Sequence, residues 1–198
     1  MSLTKATYSM ISGAPLNIKD FGAVGDGVTD DTAAITAALQ NNNEIYIPPG
    51  TYKITSSIKL NDKTGLQIVG AGYASQFLYA VSAGADMFLV DAGHPVKHTS
   101  FENLCFLHTD TATGAPALTV YACEDFTVKG CTFERGQCKV VGGQTVLITE
   151  NIVTDWNYDR SGVVVQGTDV IVSNNTIRIT EDMDSDDALV VSAPSEKI

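Results

Sequence analysis

Short apolar segments recur along the second half of the chain at nearly constant intervals. Five of them align without gaps, and their starts are separated by 30, 21, 24 and 26 residues. A repeat of this length is typical of solenoids, in which each repeat is one supersecondary unit stacked on the next. The segments begin at Met87, Ala117, Cys138, Gly162 and Ala188.

A second set of segments lies between the first and broadly follows the order apolar, any, Asn or Gly, any, any, apolar, with Glu at the third position of one segment. Asn and Gly tolerate a positive φ better than other residues, and a tight corner between strands requires that backbone conformation. Each repeat is therefore predicted to carry two or more strands separated by a turn. These segments are Phe101–Phe106, Val128–Phe133, Ile148–Val153 and Val172–Ile177.

Other architectures with a similar period do not fit this pattern. Leucine-rich repeats require a Leu-x-x-Leu-x-Leu frame and helical repeats require stripes of 3.6-residue period, and the segments show neither. Antiparallel hairpins usually show Asn-Gly or Asp-Gly turns, which the repeated part lacks. The repeats therefore favour an all-β solenoid of parallel strands, about 4.8 Å from coil to coil.

The N-terminal part has a different pattern, with a glycine-rich turn, a short amphipathic segment and a strand. Asp30 or Asp31 can accept hydrogen bonds from the free N–H groups at the start of a helix. Ile35, Ala38 and Leu39 form an apolar stripe along that helix. Because the first coil of a solenoid exposes its core and unpaired backbone, we expect this helix to cap it.

Composition excludes some classes of function. The chain has 198 residues, 44% of them hydrophobic and 18% charged, which indicates one folded domain with a sizeable core. The formal net charge of −11 repels phosphate backbones and anionic headgroups, so nucleic acid is not an expected partner. Apolar runs fall short of the roughly 20 residues that span a bilayer, so no membrane insertion is expected. The N-terminus does not resemble a signal peptide, so synthesis in a cytoplasm is expected.

The cysteines and histidines do not suggest a metal site. The cysteines lack the paired spacing of zinc ligands and are predicted to be buried thiols. The histidines have no Ser or Cys partner at a recognised spacing, which predicts surface or turn roles. No metal or cofactor is therefore expected. The residues are Cys105, Cys123, Cys131 and Cys138, and His94, His98 and His108.

The N-terminal segment resembles the signature of the pectate-lyase-like superfamily. The motifs that carry the resemblance are Asp20-Phe-Gly-Ala, Gly25-Asp-Gly, Thr29-Asp-Asp-Thr-Ala-Ala-Ile35 and Ile47-Pro-Pro-Gly-Thr-Tyr52. The resemblance implies a right-handed single-stranded parallel β-helix with an N-terminal capping α-helix. We therefore expect a leader or connector at 1–16, a cap at 17–60, and β-helix rungs at 61–198 that are truncated at the C-terminal end.

The leader, Ala6 to Pro15, looks like the form found in bacteriophage tailspike and tail-fibre depolymerases. This resemblance implies a homotrimer that binds and often cuts capsular polysaccharide or O-antigen. It also implies contacts with other phage tail proteins through the N-terminal region. The expected location is then the virion tail, made in the host cytoplasm and acting at the bacterial cell surface.

Candidate catalytic residues lie near the C-terminus. Glycoside hydrolysis generally uses two carboxylates, one as acid and the other as base or nucleophile. Asp186 and Asp187 stand immediately before the last repeated strand, in a segment similar to the paired-Asp segment of polygalacturonase-type hydrolases. That resemblance implies a further Asp one rung earlier, and Asp159 is the nearest match, one residue out of register.

A second cluster is predicted to bind substrate. It comprises Asp155, Trp156, Tyr158 and Arg160, in which an aromatic ring could stack on a sugar and Arg160 could pair with a carboxylate. Trp156 could equally pack in a turn. Reserve candidates at other repeat boundaries are Glu124, Asp125 and Glu134.

The acidic run 181–187 has two other interpretations. It can be a solvated turn, or a calcium site built on Asp184, Asp186 and Asp187, although the EF-hand spacing is absent. The sequence thus predicts a tailspike-like protein that binds and depolymerises a bacterial surface polysaccharide, as hydrolase or lyase. The alternative is a non-catalytic glycan-binding adhesin or structural tail module. A secreted plant-wall pectinase is disfavoured because the signal peptide and the Lys/Arg cluster of such lyases are missing.

Overall fold

The computed structural model of the chain describes residues 15–80, 85–108, 116–154, 162–178 and 189–192. Within these ranges the architecture is all-β apart from one α-helix and two short 3-10 helices. The elements are, in chain order, β1 (Leu16–Asn17), a 3-10 helix (Ile18–Phe21), β2 (Asp26–Asp30), α1 (Thr32–Asn41), β3 (Glu44–Ile47), β4 (Gly50–Ile54), β5 (Ile58–Lys59), β6 (Gln67–Gly70), a 3-10 helix (Gly72–Ala74), β7 (Ser75–Tyr79), β8 (Phe88–Val90), β9 (Val96–Glu102), β10 (Cys105–His108), β11 (Leu118–Val120), β12 (Cys123–Lys129), β13 (Thr132–Glu134), β14 (Cys138–Thr149), β15 (Ile152–Thr154), β16 (Val163–Ser173), β17 (Thr176–Arg178) and β18 (Leu189–Ser192).

The strands form three faces of parallel strands, which the chain visits in turn. Face 1 has the order β1-β3-β6-β9-β12-β14-β16, and face 2 has the order β2-β4-β7-β10-β13-β15-β17. Face 3 has the order β5-β8-β11-β14-β16-β18. Strands β14 and β16 are long enough to turn the corner, so each contributes its first part to face 3 and its second part to face 1. This arrangement is consistent with a parallel β-helix.

We number the coils from β3. Coil 1 comprises β3, β4 and β5, coil 2 comprises β6, β7 and β8, and coil 3 comprises β9, β10 and β11. Coil 4 comprises β12, β13 and the first part of β14, and coil 5 runs from the rest of β14 through β15 to the first part of β16. Coil 6 comprises the rest of β16, β17 and β18.

The second set of repeated segments has the predicted register. On face 1 an inward column joins Phe101, Val128, Ile148 and Val172 in successive coils. On face 2 a matching column joins the last residues of the same segments, which are Phe106, Phe133, Val153 and Ile177. The alternation of apolar and polar residues predicts this register, because a one-residue slip would turn every side chain to the opposite face.

The first set has the predicted register at two of its four junctions, the two that do not involve Cys138. Phe88 pairs with Leu118, and Val163 with Leu189, as predicted. Cys138, however, pairs with Leu118 and Val163 rather than one position earlier. The predicted alignment was wrong there because Cys138 is a fully buried side chain and takes the inward position of a Leu or Val.

The core is aromatic in its middle coils. Six phenylalanines from faces 1, 2 and 3 are fully buried, and Phe106 stacks on Phe133 with ring centroids 4.8 Å apart and an interplanar angle of 8°. Such pairs add to the free energy gained by burying the rings. The six are Phe77, Phe88, Phe101, Phe106, Phe126 and Phe133.

The α-helix forms where the sequence indicates, and the two aspartates before it have different roles. Asp30 accepts from the backbone N–H of Thr32 at 3.0 Å, whereas Asp31 makes no such bond at the helix start. Asp31 is buried and accepts from the N–H groups of Val24 and Gly25 at 2.7 and 3.1 Å, which holds the glycine-rich turn. The predicted apolar stripe of the helix is buried.

The corner between faces 1 and 2 is made of two residues in coils 3 to 6. The first residue of each corner has a positive φ, and the predicted Asn or Gly occupies it in three coils: Asn103, Gly130 and Asn174. In coil 5 the residue is Glu150, with φ 59°. The second residue points inward, and Asn151 there is buried and bonded to the coils on both sides.

All four cysteines are free, buried thiols, as predicted. Burial is the main cause that raises the pKa of Cys105, Cys123 and Cys131 to about 12, and it raises that of Cys138 as well. Among the described residues, no helix is long and apolar enough to cross a membrane.

Candidate functional site

The longest connections, of eight to ten residues, leave the coil at the corner between faces 2 and 3, whereas the corner between faces 3 and 1 has at most seven residues, at 60–66. In coils 1 and 4 the connection from face 2 to face 3 has three residues, at 55–57 and 135–137. In the other coils it has eight to ten residues. Those connections are 80–87, 109–117, 155–162 and 179–188. Connections of variable length next to a rigid scaffold are the usual place for binding and catalytic residues.

The predicted site residues lie in two of these connections. Asp155, Trp156, Tyr158, Asp159 and Arg160 fall in 155–161, outside the described residues. Asp186 and Asp187 fall in 179–188, also outside them. The calcium candidate Asp184 lies there too.

The strands on either side place both segments at the same corner of neighbouring coils. Segment 155–161 leads from β15 to β16, and segment 179–188 leads from β17 to β18. β16 and β18 pair in the predicted register, with Val163 opposite Leu189. Counted back from those strands, Asp159 stays one residue out of line with Asp186 and Asp187.

Face 3, onto which these segments lead, presents a polar exterior in its early coils. Lys59 pairs with Asp91 of the next coil at 2.7 Å, and Asn61 donates to the same carboxylate at 2.8 Å. These bonds hold the pKa of Asp91 below its usual value, with the Lys59 hydrogen bond as the largest cause. Because the pair is exposed, it contributes little to stability.

A lysine lies over an aromatic ring on the same face. Lys139 Nζ is 5.4 Å from the ring centroid of Tyr121, which is 39% exposed. The ring can stack on a sugar and the ammonium group can meet an anionic substituent. Sequence reasoning missed both residues. The alternation of the repeated strands could have found them, because Thr119, Tyr121 and Lys139 occupy outward positions once Cys138 is placed inward.

Buried and half-buried polar groups lie at this corner. Thr119 donates to Asp86 Oδ1 at 2.9 Å, and Ser57 donates to the Asp86 backbone carbonyl. Tyr79 and His108 end the neighbouring strands β7 and β10, and their rings meet edge to face with centroids 4.9 Å apart. Burial raises the pKa of Tyr79, and the Asp86 carboxylate raises it further.

The histidine predictions hold for two residues and fail for one. His94 and His98 are exposed and pair with Asp62 and Asp125 at 2.9 and 2.8 Å. His108 was predicted at the surface, but it is buried, because it ends a strand on an inward position beside Tyr79.

The reserve carboxylates lie away from face 3. Glu124 pairs with Lys97 at 2.6 Å and Asp125 with His98, both at the corner between faces 3 and 1. Glu134 lies on the exterior of face 2 and accepts from Tyr73. Within the described ranges, no group of three His, Cys, Asp or Glu side chains is placed to hold a metal ion.

A protein-family model matches most of the chain. The model of the family described as "Rhamnogalacturonase A/epimerase, pectate lyase-like" matches residues 16–183. The chain belongs to this family. The match begins at β1 and extends through the coils into the connection that follows β17.

Two curated relatives match this pectate-lyase-like chain over shorter stretches. Mannuronan C5-epimerase AlgE2 of Azotobacter vinelandii is 44% identical over 66 residues, which is 28% of this chain and 7% of that protein. The preneck appendage protein of Bacillus phage PZA is 36% identical over 75 residues, which is 36% of this chain and 8% of that protein. The chain thus spans less than a tenth of either relative.

Solved structures share the fold at low sequence identity. ORF18 of Geobacillus virus E2 has a TM-score of 0.55 at 24% identity, over 78% of this chain and 35% of that chain. The catalytic unit of a GH87 alpha-1,3-glucanase from Streptomyces thermodiastaticus has a TM-score of 0.66 at 16% identity, over 97% and 34%. The Streptococcus pneumoniae surface protein and adhesin PfbA has a TM-score of 0.53 at 14% identity, over 83% and 63%. At these identities the likeness is one of fold.

Proposed function

We propose that this chain is part of a bacteriophage tailspike-like protein that binds and depolymerises a bacterial surface polysaccharide, either capsule or O-antigen. The observation that carries the proposal is the corner between faces 2 and 3. In the sequence, two acidic segments connect face 2 to face 3 in neighbouring coils, and the described part of the chain carries Lys139 and Tyr121 at face 3. A phage appendage protein and polysaccharide-acting enzymes among the similar proteins support it.

In this proposal Asp186 and Asp187 supply the acid and the base, and Asp159 assists from the preceding coil. Neighbouring coils are about 4.8 Å apart, which is close to the separation of about 5 Å between two carboxylates that act on one glycosidic bond, so a carboxylate of the preceding coil can assist. Trp156 and Tyr158 stack on sugar rings, while Arg160 and Asp155 bind polar substituents. The same carboxylates could serve hydrolysis or elimination.

We extend the proposal to the assembly. The coil is right-handed, as parallel crossovers almost always are, and α1 closes its N-terminal end. The contacts of α1 with the preceding 3-10 helix and with β5 support a capping role. The spike is a homotrimer in the virion tail that contacts other tail proteins through its N-terminal region.

The test is release of reducing ends from purified capsular and O-antigen polysaccharides. The Asp186→Asn/Asp187→Asn double variant should lose 10²-fold or more of the rate, since general acid–base catalysis contributes about that much. The ultraviolet absorbance of an unsaturated product separates elimination, which forms a C=C bond, from hydrolysis, which does not.

A matched control comes from the same acidic run. Asp182→Asn/Asp184→Asn removes the same charge and should retain the wild-type rate. Equal losses in both double variants would contradict the assigned roles and favour a calcium site, which a chelator titration then checks.

The second candidate is a glycan-binding adhesin without catalysis. It is favoured by the likeness in fold to PfbA, which is a surface adhesin. Measurable binding to a polysaccharide that releases no reducing ends would support this candidate over the depolymerase.

A further inference from the structure

The exterior of face 2 carries an exposed tyrosine that the proposed function does not use. Tyr73 lies in the 3-10 helix between β6 and β7, where coil 2 has the four residues 71–74 instead of the two found in coils 3 to 6. Its side chain is 58% exposed. This insertion places an aromatic ring at the corner between faces 1 and 2, away from the corner from which the long connections leave.

The Tyr73 side chain crosses the outer surface of face 2. The 3-10 helix that carries it contacts β10, and Tyr73 Oη reaches Glu134 on β13, two strands away from β7. Cys105 pairs with Gln76 and Thr132 on the outward column of face 2 along this path, and yet Cys105 is fully buried. Tyr73 remains more than half exposed, which leaves part of its ring accessible to a ligand.

The ring is held in place by a residue two coils further on. Tyr73 Oη donates to Glu134 Oε2 at 3.2 Å, and the Glu134 carboxylate raises the pKa of Tyr73. A carboxylate has about four acceptor positions, so Glu134 can accept further hydrogen bonds while it holds the phenol. Because Tyr73 is anchored at both ends, little side-chain entropy is left to lose when a ligand stacks on it.

The surrounding surface is rich in neutral hydrogen-bonding groups. Thr51 donates to Gln76 Oε1 at 2.7 Å, and Thr132 stands on the same outward column beyond Cys105. Thr51 and Gln76 are one coil apart, at about 4.8 Å, and Thr132 lies two coils beyond Gln76, at about 9.6 Å. A pyranose residue in an extended glycan has about the length of one coil, so successive sugars can meet these groups. The Glu134 carboxylate repels an anionic sugar and accepts from sugar hydroxyls.

We propose that Tyr73 and Glu134 form a second, non-catalytic carbohydrate-binding site on face 2 that takes an uncharged pyranose residue. Tyr73 stacks on the apolar face of the sugar, and Glu134 accepts a hydrogen bond from one of its hydroxyls. The site lies on a different face from the proposed cleavage site and does not depend on it.

The test is direct binding, measured by NMR titration with maltohexaose, cellohexaose and laminarihexaose, none of which carries a charge. At least one should bind wild type and shift the amide signals of Gln76 and of Thr132–Glu134. Tyr73→Ala should weaken that binding tenfold or more, and Tyr73→Phe should retain it within threefold because the ring is kept. Glu134→Gln should weaken it by a smaller factor.

Ile171→Ala is the control, since it removes an exposed apolar side chain from face 1, and it should leave this binding unchanged. If Tyr73→Ala fails to fold, Tyr73→Leu keeps an apolar side chain at this position without a planar ring and should show the same loss. The proposal is overturned if no hexasaccharide binds, if Tyr73→Leu binds like wild type, or if Ile171→Ala reduces binding as much as Tyr73→Ala does. Since no cleavage is measured, failure of the depolymerase proposal leaves this test intact.

Discussion

The two corners that flank face 2 differ in how much their length varies from coil to coil. The corner with face 1 has two residues in coils 3 to 6, whereas the corner with face 3 varies from three to ten residues. The first is defined by backbone conformation and by a buried asparagine that bonds to the coils on both sides. The second varies in length from coil to coil, and in coil 2 Asp86 accepts there from Thr119 and Ser57.

This difference separates the residues that stack the coil from those available for chemistry. A short corner with a positive φ permits few substitutions, so it keeps successive coils in register. A long connection can change in length and composition without disturbing the ladder, as the coils of this chain already show. We expect changes at the first corner to affect stability, and changes at the second to affect binding and rate.

The largest effect is expected from adding one residue at each corner. A Gly inserted between Gly130 and Cys131 reverses the facing of β13 relative to its neighbours, and should destabilise the protein by about 4 kcal/mol or more. A Gly inserted within the connection 80–87 should cost less than about 1 kcal/mol. Urea unfolding measures both. Equal losses would show that the two corners do not differ.

The next effect concerns the buried asparagine. Asn151 accepts from the Cys131 N–H at 2.9 Å and donates to the Val128 carbonyl at 3.0 Å. Asn151→Ala leaves those buried groups unpaired and should reduce the free energy of unfolding by about 2 to 4 kcal/mol. Asn175→Ala, in the less buried position of the next coil, should cost less. A larger loss for Asn175→Ala would contradict the argument from burial.

A third effect is the pH dependence that the thiols confer. Cys105, Cys123 and Cys131 have a pKa of about 12 in the folded chain, above the unfolded value of 9.0. Folding therefore favours the protonated thiol, so their contribution is fully present below pH 9 and is lost as the pH rises toward 12. At pH 8 a thiol-specific reagent should leave all four cysteines unmodified until urea is added. Rapid labelling of the native protein would contradict the burial of these residues.

The smallest effect should be a gain. Glu150 has a positive φ, which costs an ordinary L-residue about 1 kcal/mol, whereas Asn adopts it more readily. Glu150→Asn should therefore stabilise the protein by up to about 0.5 kcal/mol, even though it removes the exposed pair with Lys129 at 3.7 Å. The readout is the urea midpoint, and a lower midpoint would show that the ion pair outweighs the backbone preference.

The sequence predicted the stacking better than the chemistry. The inward columns through Phe101 and Phe106 followed from alternation, because burial fixes the facing of each strand. Cys138 was misaligned because a cysteine can occupy an inward or an outward position of a strand. Only the strand pairing shows that Cys138 points inward. Glu150 shows that the corner conformation can be imposed on a residue that does not prefer it.

The candidate site was less accessible to sequence reasoning. Asp186 and Asp187 came from resemblance and remain predictions, since they lie outside the described residues. Lys139 and Tyr121 were missed because their proximity depends on which strands are neighbours and on one correct register. Tyr73 and Glu134 are 61 positions apart in sequence and meet only because two intervening turns of the coil bring them together.

The regular register also has a consequence for how the chain reaches its structure. On face 1, paired residues of neighbouring coils are 20 to 33 positions apart from β3 onward, so each new coil closes a loop of similar size. Loop closure then costs nearly the same entropy at every step, and no pairing requires distant ends of the chain to meet. Growth of this kind resembles a one-dimensional crystal, in which a whole coil can be added or lost without changing how the others assemble.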